Sequence, residues 1–391
     1  MRAMAWSVYA PSFISAIGQN ALNLFLPLYV LELGGDAATA AAVVGLRGVG
    51  TMIMDVPAGL AIARWGDKRV MLVGLVLLIV MASGCAMQPP LWMIAGFSVL
   101  FGMGMSIWML GRLNYVTDEV PLQKRGRVIS VMAGLQRAGA LIGPALGGLT
   151  AQFIGFEAVF AGAAVLFVLS SLFVIRTARA VPPQQHEEPS YARLYNVVKS
   201  NASTFSTAGV AMVALQIVRS ARMLMIPLWG AFIGLDAVTI GFVFSLSSAI
   251  DMAMFYPVGL ILDHKGRRWT LVPSMAILAL SVALLPLTTT LWPFAIVAVL
   301  SGFGNGFGTG IFMTLGGDLS PTSQRSEFLG VWRLVGDVGT ASGPFIVGGL
   351  AQATSIVIAC GSVAGIGVLG IVLIFACVPE TLKRTRHEDK V

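Results

Sequence analysis

Charge is scarce in this chain. Only 11% of its 391 residues are Asp, Glu, Lys or Arg, while 57% are hydrophobic, and the mean hydropathy is +0.85. That composition lies outside the range of soluble globular domains. Histidine and cysteine are scarcer still, three of each. Cys85, Cys360 and Cys377 show no metal-ligand spacing and read as small apolar residues within spans, so no metal and no cofactor are expected. No nucleophile and base stand at useful spacing and no Gly-Lys-Ser/Thr phosphate loop exists, which excludes an enzyme and disfavours ATP-driven transport. There is no basic patch with interleaved aromatics, so nucleic acid is not an expected partner. Polar stretches are nearly absent as well, apart from one of any length, between Arg176 and about Thr204.

What fills the chain is apolar runs of about twenty residues, the length that crosses a bilayer. Six are expected in each half, near positions 5–33, 37–63, 69–88, 91–116, 126–153 and 157–176, then 205–233, 238–262, 269–288, 291–316, 326–350 and 354–378. The halves repeat at an offset of 200 residues: Pro27 matches Pro227, Asp36 and Thr39 match Asp236 and Thr239, Pro57 matches Pro257, and Asp118 and Arg125 match Asp318 and Arg325. Such self-similarity marks a duplication. Copies in the same orientation need an even number of spans, which six satisfies. The expected units are a six-helix bundle over 1–176, a linker over 177–204, a second six-helix bundle over 205–378 and a tail over 379–391.

Orientation follows from the basic residues. Of 25 Lys and Arg, 19 lie in the termini, the linker or alternate loops, and the opposite loops carry none. Basic loops stay on the cytoplasmic side, so a multi-pass protein of the cell (inner) membrane with both termini cytoplasmic is expected. Arg2 leads straight into the first span with no cleavage site, so no removed signal peptide is expected. Within the linker, Pro182-Pro183 and Glu187-Glu188 break structure. Tyr191, Leu194, Tyr195 and Val198 then recur at helical spacing opposite Arg193, Asn196 and Lys199, which predicts a short amphipathic helix on the inner leaflet.

Two motifs stand out. Gly139 to Gly148 reads GALIGPALGG, placing Gly139, Gly143, Pro144, Gly147 and Gly148 inside a span, and it is echoed at Gly339 to Gly349 with Gly343-Pro344. Small residues there let another helix approach closely, and the proline supplies a kink. Gly259-Leu-Ile-Leu-Asp263-His-Lys-Gly266-Arg267-Arg268 forms the loop after the second span of its half. This loop resembles the G-x-x-x-D-x-x-G-R-K signature of the major facilitator superfamily, and GALIGPALGG resembles the fifth-helix signature of that superfamily's antiporters and drug exporters. The resemblance covers essentially the whole chain. It implies an all-α polytopic fold of twelve transmembrane helices in two pseudo-symmetric six-helix bundles, working by alternating access. Three departures stand beside it. The first loop copy has Gly59, Arg64 and Gly66 but Ala63 in place of the aspartate that locks the halves in the family; Ser98 replaces the fourth-helix arginine of the drug-exporter pattern; and Pro379-Glu380-Thr381 is similar to the end of sugar porters.

Charges within spans cost about 2.5–3.5 kcal/mol each at the bilayer centre, so each needs a partner or a purpose. They are Arg47, Asp55, Arg112, Arg137, Arg219, Arg222, Asp251, Arg333 and Asp337. The resemblance implies that the second helix packs beside the eleventh and the fifth beside the eighth. Depth counted at about 1.5 Å per residue then predicts three pairs across the halves: Arg47 with Asp337, Asp55 with Arg333, and Arg137 with Asp251. Such pairs are static braces or gates. If a coupling proton is carried, the three aspartates are its candidates.

The family's central cavity is lined by helices 1, 4, 7 and 10. Candidates there are Gln19, Asn20 and Asn23; Arg112, Asn114 and Tyr115; Gln216, Arg219 and Arg222, spaced by three; and Asn305, within the alternating glycines Gly302 to Gly310 that read as close packing or a hinge. Arg112 and the two seventh-helix arginines alternatively reach lipid phosphate or carbonyls. Cavity arginines without a cavity carboxylate favour a small organic anion or anionic amphiphile. Organophosphate antiporters of the superfamily also use a seventh-helix arginine, but pair it with a first-helix arginine that this chain lacks. An exporter or antiporter acting as a monomer is expected. A proton-coupled multidrug exporter, an uptake carrier or exchanger, and a transport-dead sensor or scaffold remain as alternatives.

Overall fold

The computed structural model describes residues 5–179 and 191–381. Arg2, the two prolines and two glutamates singled out in the linker, and the tail beyond residue 381 lie outside them. Among the described residues twelve helices are long and apolar enough to span a membrane: α1 (Trp6–Glu32), α2 (Ala37–Trp65), α3 (Asp67–Ala86), α4 (Leu91–Glu119), α5 (Leu122–Phe153), α6 (Phe156–Thr177), α7 (Ala202–Phe232), α8 (Ala237–His264), α9 (Arg268–Leu287), α10 (Leu291–Leu319), α11 (Glu327–Ala353) and α12 (Ile356–Cys377).

The duplication is visible down to the helix ends. Asp36 accepts from the backbone N–H of Thr39 at 2.8 Å and Asp236 from that of Thr239 at 2.7 Å, so α2 and α8 begin on the same side-chain cap. At their other ends stand Gly66 and Gly266, with φ of 79° and 111°, values a side chain resists. Wide π-turns at Ala5–Tyr9 and Phe205–Gly209 lead into the body of α1 and α7. Lys68 donates to the carbonyls of Ile175 and Ala178, and Arg268 donates to that of Val378, tying α3 and α9 to the ends of α6 and α12.

Within each half the packing order is the same. α5 lies on α1, α4 on α2 and α3, and α6 on α1 and α3; in the second half α11 lies on α7, α10 on α8 and α9, and α12 on α7 and α9. Between the halves α2 meets α11 and α5 meets α8. The glycines of the fifth-helix motif explain how. A Cβ on Gly139 would fall 2.5 Å from Ala16, one on Gly143 2.5 Å from the carbonyl of Ile17, and one on Gly147 2.7 Å from Phe25, so this face of α5 admits α1 at backbone distance. Gly148 faces the other way, where a Cβ would meet the Ala237 carbonyl at 2.7 Å, and a Cβ on Gly241 would meet that of Pro144 at 2.5 Å. In the second copy a Cβ on Gly348 would fall 2.7 Å from Ala41.

These tight crossings lie toward the end of the molecule that carries the short 33–36 and 233–236 turns, here the hairpin end. Toward the opposite, linker end, Gly126, Gly134 and Gly330 meet no neighbour within 4 Å. The glycine-mediated crossings between the halves therefore lie nearer the hairpin end, while the ion pair of Asp55 with Arg333 joins the halves nearer the linker end.

Two elements differ from expectation. α10 is interrupted: regular helix stops at Phe307 and resumes at Ile311 after Gly310 in the left-handed region at φ 76°, so the alternating glycines break the helix as well as thin it. The linker helix forms over Tyr191–Ser200, but its buried residue among those whose side chains are described is Val197, 1% exposed, while Tyr195 and Val198 are 66% and 42% exposed. It packs on α11, so contact with the bundle sets its buried side.

Candidate functional site

Gln216, Arg219 and Arg222 share the face of α7 that turns toward the broken helix α10. Arg219 donates from Nε to Asn305 Oδ1 at 3.0 Å and from Nη2 to the Asn305 carbonyl at 3.1 Å. Its Nη1 stands 3.5 Å from Gln216 Oε1, and Gln216 Nε2 donates to Thr340 Oγ1 at 3.3 Å. The glycine at 308 makes this approach possible: a Cβ there would sit 3.1 Å from the Arg219 guanidinium. Asn305 then passes the network on, donating from Nδ2 to Asp251 Oδ1 at 3.1 Å. Asp251 Oδ2 accepts from Arg137 Nη1 at 2.9 Å, and Arg137 Nη2 reaches Thr309 Oγ1 at 3.0 Å. One polar chain thus runs from α7 through α10 and α8 to α5, crossing between the halves at Arg137 and Asp251. The Phe255 ring lies under Arg137 at 4.9 Å.

Arg222 is buried, 6% exposed, and donates to Ser301 Oγ at 2.8 Å, while its Nε has no hydrogen-bond partner. On α1, Gln19 is 2% exposed and accepts from Gln136 Nε2 at 3.2 Å; Asn20 donates to the Ala16 carbonyl at 2.8 Å. Asn23 Oδ1 accepts from Arg47, whose guanidinium also lies 5.8 Å from the Phe101 ring.

Of the three expected pairs across the halves, two form. Arg137 with Asp251 is one, and Arg333 Nη2 with Asp55 Oδ1 at 3.2 Å is the other. The third does not: Arg47 turns to Asn23, and Asp337 joins Arg333, with Nε 3.7 Å from Oδ2. The reason is rotational. Arg333 and Asp337 stand one turn apart on one face of α11, so one guanidinium reaches the carboxyls of both Asp55 and Asp337. Counting depth alone ignored which way Arg47 faces. Ser106 Oγ donates to Asp55 Oδ1 at 2.7 Å, completing that group.

The fourth-helix candidates do not join the central network. Tyr115 is 2% exposed and its hydroxyl accepts from the backbone N–H of Arg179 at 3.2 Å, where the linker begins. Arg112 is 8% exposed, lies 5.5 Å from the Trp108 ring, and leaves Nε and Nη1 without hydrogen-bond partners. Asn114 sits half-buried beside them. In the loop motif, Asp263 is exposed on the surface, whereas Arg267 Nε binds Asp318 Oδ2 at 2.8 Å and Arg267 Nη1 the Leu262 carbonyl at 2.8 Å. Glu380 accepts from the backbone N–H groups of Arg267 and Arg268 at 2.8 and 3.0 Å, capping the start of α9. That bracing lies within the second half. Gly59 and Gly259 meet no neighbour within 4 Å, and Arg64 is exposed.

Ser106, Gln136, Ser301, Thr309 and Thr340 belong to these networks without having been singled out. Gln136, beside Arg137 in an apolar run, carried a readable signal; a serine or threonine within a span did not. A separate depression of about 1010 Å³ opens between the halves at the hairpin end, lined by Tyr29, Glu32, Gln88, Glu157 and Phe232 among others. None of the membrane arginines lines it.

The sequence profile of the Major Facilitator Superfamily matches residues 10–264 and 208–390. The chain belongs to this superfamily. It is a multi-pass membrane transporter, not an enzyme. Among its relatives are the multidrug resistance protein MdtH of Salmonella newport (strain SL254), 24% identical over 334 residues covering 82% of this chain and 79% of that protein, and MdtH of Klebsiella pneumoniae subsp. pneumoniae, 22% identical over 310 residues covering 78% and 76%. The fold matches a POT family transporter solved with a thioalcohol-conjugated peptide at TM-score 0.78 and 13% identity, over 96% of this chain and 95% of that one. It also matches the peptide transporter POT solved with sulfate, at TM-score 0.75 and 14% identity over 94% and 93%.

Proposed function

We propose that this secondary transporter exports a small organic anion or anionic amphiphile by alternating access, as an antiporter. The observation that carries the substrate class is an imbalance of charge. Arg47, Arg219 and Arg222 are hydrogen-bonded to neutral groups, namely Asn23, Asn305 with Gln216, and Ser301. Asp55, Asp251 and Asp337 are each engaged by Arg333 or Arg137. Positive charge in a low-dielectric cleft attracts an anion, and guanidinium binds carboxylate or phosphate in bidentate fashion. Amides and hydroxyls are ligands that an entering anion can displace.

Export is supported by the GALIGPALGG signature and by the multidrug resistance name of the relatives. The relatives also favour a second reading, efflux of lipophilic cations. Against it, each of the three membrane aspartates already touches a guanidinium, Asp251 at Arg137 and both Asp55 and Asp337 at Arg333, so none stands free for a cationic drug. The basic loops favour a cytoplasmic linker end.

A thermal-unfolding screen of the purified chain against organic anions, sugar phosphates, anionic lipids and cationic drugs tests this reading. A ligand that binds the folded state raises its unfolding temperature by mass action. Stabilisation by an anion, lost in Arg219→Ala, is expected. Stabilisation by cationic drugs alone, unchanged in Arg219→Ala, would replace the anion reading with the multidrug one.

A further inference from the structure

The cluster of Asp55, Arg333 and Asp337 holds two carboxyls and one guanidinium in the interface between α2 and α11. Asp55 is nine-tenths buried, with its side chain 10% exposed. Its Oδ1 is occupied by Ser106 and Arg333. Its Oδ2 is buried without a hydrogen-bond donor, and so is Oδ2 of Asp337. The two carboxyls meet at one guanidinium, Arg333 Nη2 standing 3.2 Å from Asp55 Oδ1 and Arg333 Nε 3.7 Å from Asp337 Oδ2.

Two ionised carboxyls gathered at one guanidinium repel, and that guanidinium cancels only one of the two charges. The remainder would be an uncompensated buried charge, which a low-dielectric interior penalises heavily. A single proton removes both problems. It neutralises the cluster, and it supplies the missing donor between two acceptor oxygens.

We propose that Asp55 and Asp337 share the coupling proton of this transporter, with Arg333 as the fixed counter-charge. The proposal rests on secondary transport, not on the substrate class. The step is one proton binding to a carboxylate oxygen and later leaving to water, with no redox change. Its link to conformation is topological. Asp55 belongs to the first half, while Arg333 and Asp337 belong to the second. When the halves part at this contact, Arg333 and Asp337 remain as a neutral one-to-one pair, and Asp55, left with Ser106 and water, ionises. Bringing the halves together requires a proton again.

The other charges near these helices do not supply the missing positive charge. Arg47, two turns along α2, is held by Asn23 of α1. α4 contributes the neutral Ser106. Arg219 and Arg222 of α7 are turned to α10. Lys199, on the linker helix that packs on α11, is exposed. Among the described residues no group of three or more His, Cys, Asp or Glu is placed to hold a metal, and the guanidinium already stands where a cation would.

The test is infrared spectroscopy of the purified full chain, titrated in pH, following the C=O band of protonated carboxyl groups. The wild type should show such a band that disappears as pH rises. Asp55→Asn and Asp337→Asn should each abolish it, because the surviving carboxyl then pairs one-to-one with Arg333, while Asp251→Asn should retain it. Ser106→Ala, which leaves every charge in place, should retain the band at a shifted frequency, because Asp55 loses a donor, and it serves if the Asn variants fail to fold. No band in the wild type, a band that survives both Asn variants, an unshifted band in Ser106→Ala, or a band displaced by sodium chloride but not by choline chloride would overturn the proposal. None of these outcomes depends on whether an anion binds at Arg219.

Discussion

Arg219 and Asp337 show what single residues contribute. Arg219 was legible in the sequence because an arginine in an apolar run is costly and its spacing with Gln216 puts both on one helix face. Its partner, Asn305, was read as a cavity candidate within a glycine run, but nothing in the sequence paired it with Arg219. Asp337 was legible as a charge but not in its pairing, because depth fixes height along a helix and not azimuth. Two predictions belong at this scale. Asp337→Asn should leave expression and unfolding temperature near wild type while changing transport, since Arg333 keeps Asp55; a fall in expression equal to the fall in transport would mark Asp337 as a brace only. Asp36→Ala should cost about 1 kcal/mol of stability through loss of the α2 cap. The bonds from Thr39 hold the Asp36 carboxyl below its ordinary range. A depressed carboxyl contributes stability above its unfolded value and loses it as pH falls through the folded one. The difference between wild type and Asp36→Ala in unfolding temperature should therefore be full at neutral pH and shrink under acid.

Among the elements, α5 and α10 use glycine in opposite ways. In α5 the glycines keep the helix regular and bring α1 and α8 to backbone distance, which the repeat at Gly343-Pro344 and the spacing of small residues made readable. In α10 the same residue type breaks the helix, and composition cannot tell the two uses apart; the left-handed φ of Gly310 decides it. Gly148→Leu should wedge α5 from Ala237, where a Cβ alone would already lie at 2.7 Å. The expected result is a folded, membrane-inserted protein with transport reduced tenfold or more, about 1.4 kcal/mol or more in the closing step, and with raised reactivity of a cysteine placed at 237. Unchanged labelling and transport would mean that closure at the hairpin end does not depend on this crossing. Gly310→Ala should be destabilising by roughly 1–2 kcal/mol, since an L-residue at φ 76° is strained, whereas Gly349→Ala, with open space around it, should not be. Thermal unfolding of the two variants side by side separates them.

For the molecule as a whole, almost all of the architecture could be read before any coordinates: twelve spans, two in-register halves and the helices that face each other across them. Hydropathy and a 200-residue repeat carry the spans and the halves because lipid leaves the backbone few alternatives to helix; which helices face each other is what the family resemblance implied. The polar network was less legible, since its members come from turns of five helices that sequence spacing relates only within one helix. That is why the contacts of Tyr115 with the Arg179 backbone and of Arg112 with the Trp108 ring could not be read from spacing. The central claim is transport of an anion that engages Arg219. The most direct test is counterflow in proteoliposomes, using the radiolabelled form of the anion that most stabilises the purified chain. Labelled anion should accumulate transiently in wild-type vesicles preloaded with unlabelled anion, and should fail to do so with Arg219→Ala. Counterflow of a cationic dye with no flux of any anion, at the same rate in wild type and Arg219→Ala, would contradict the account.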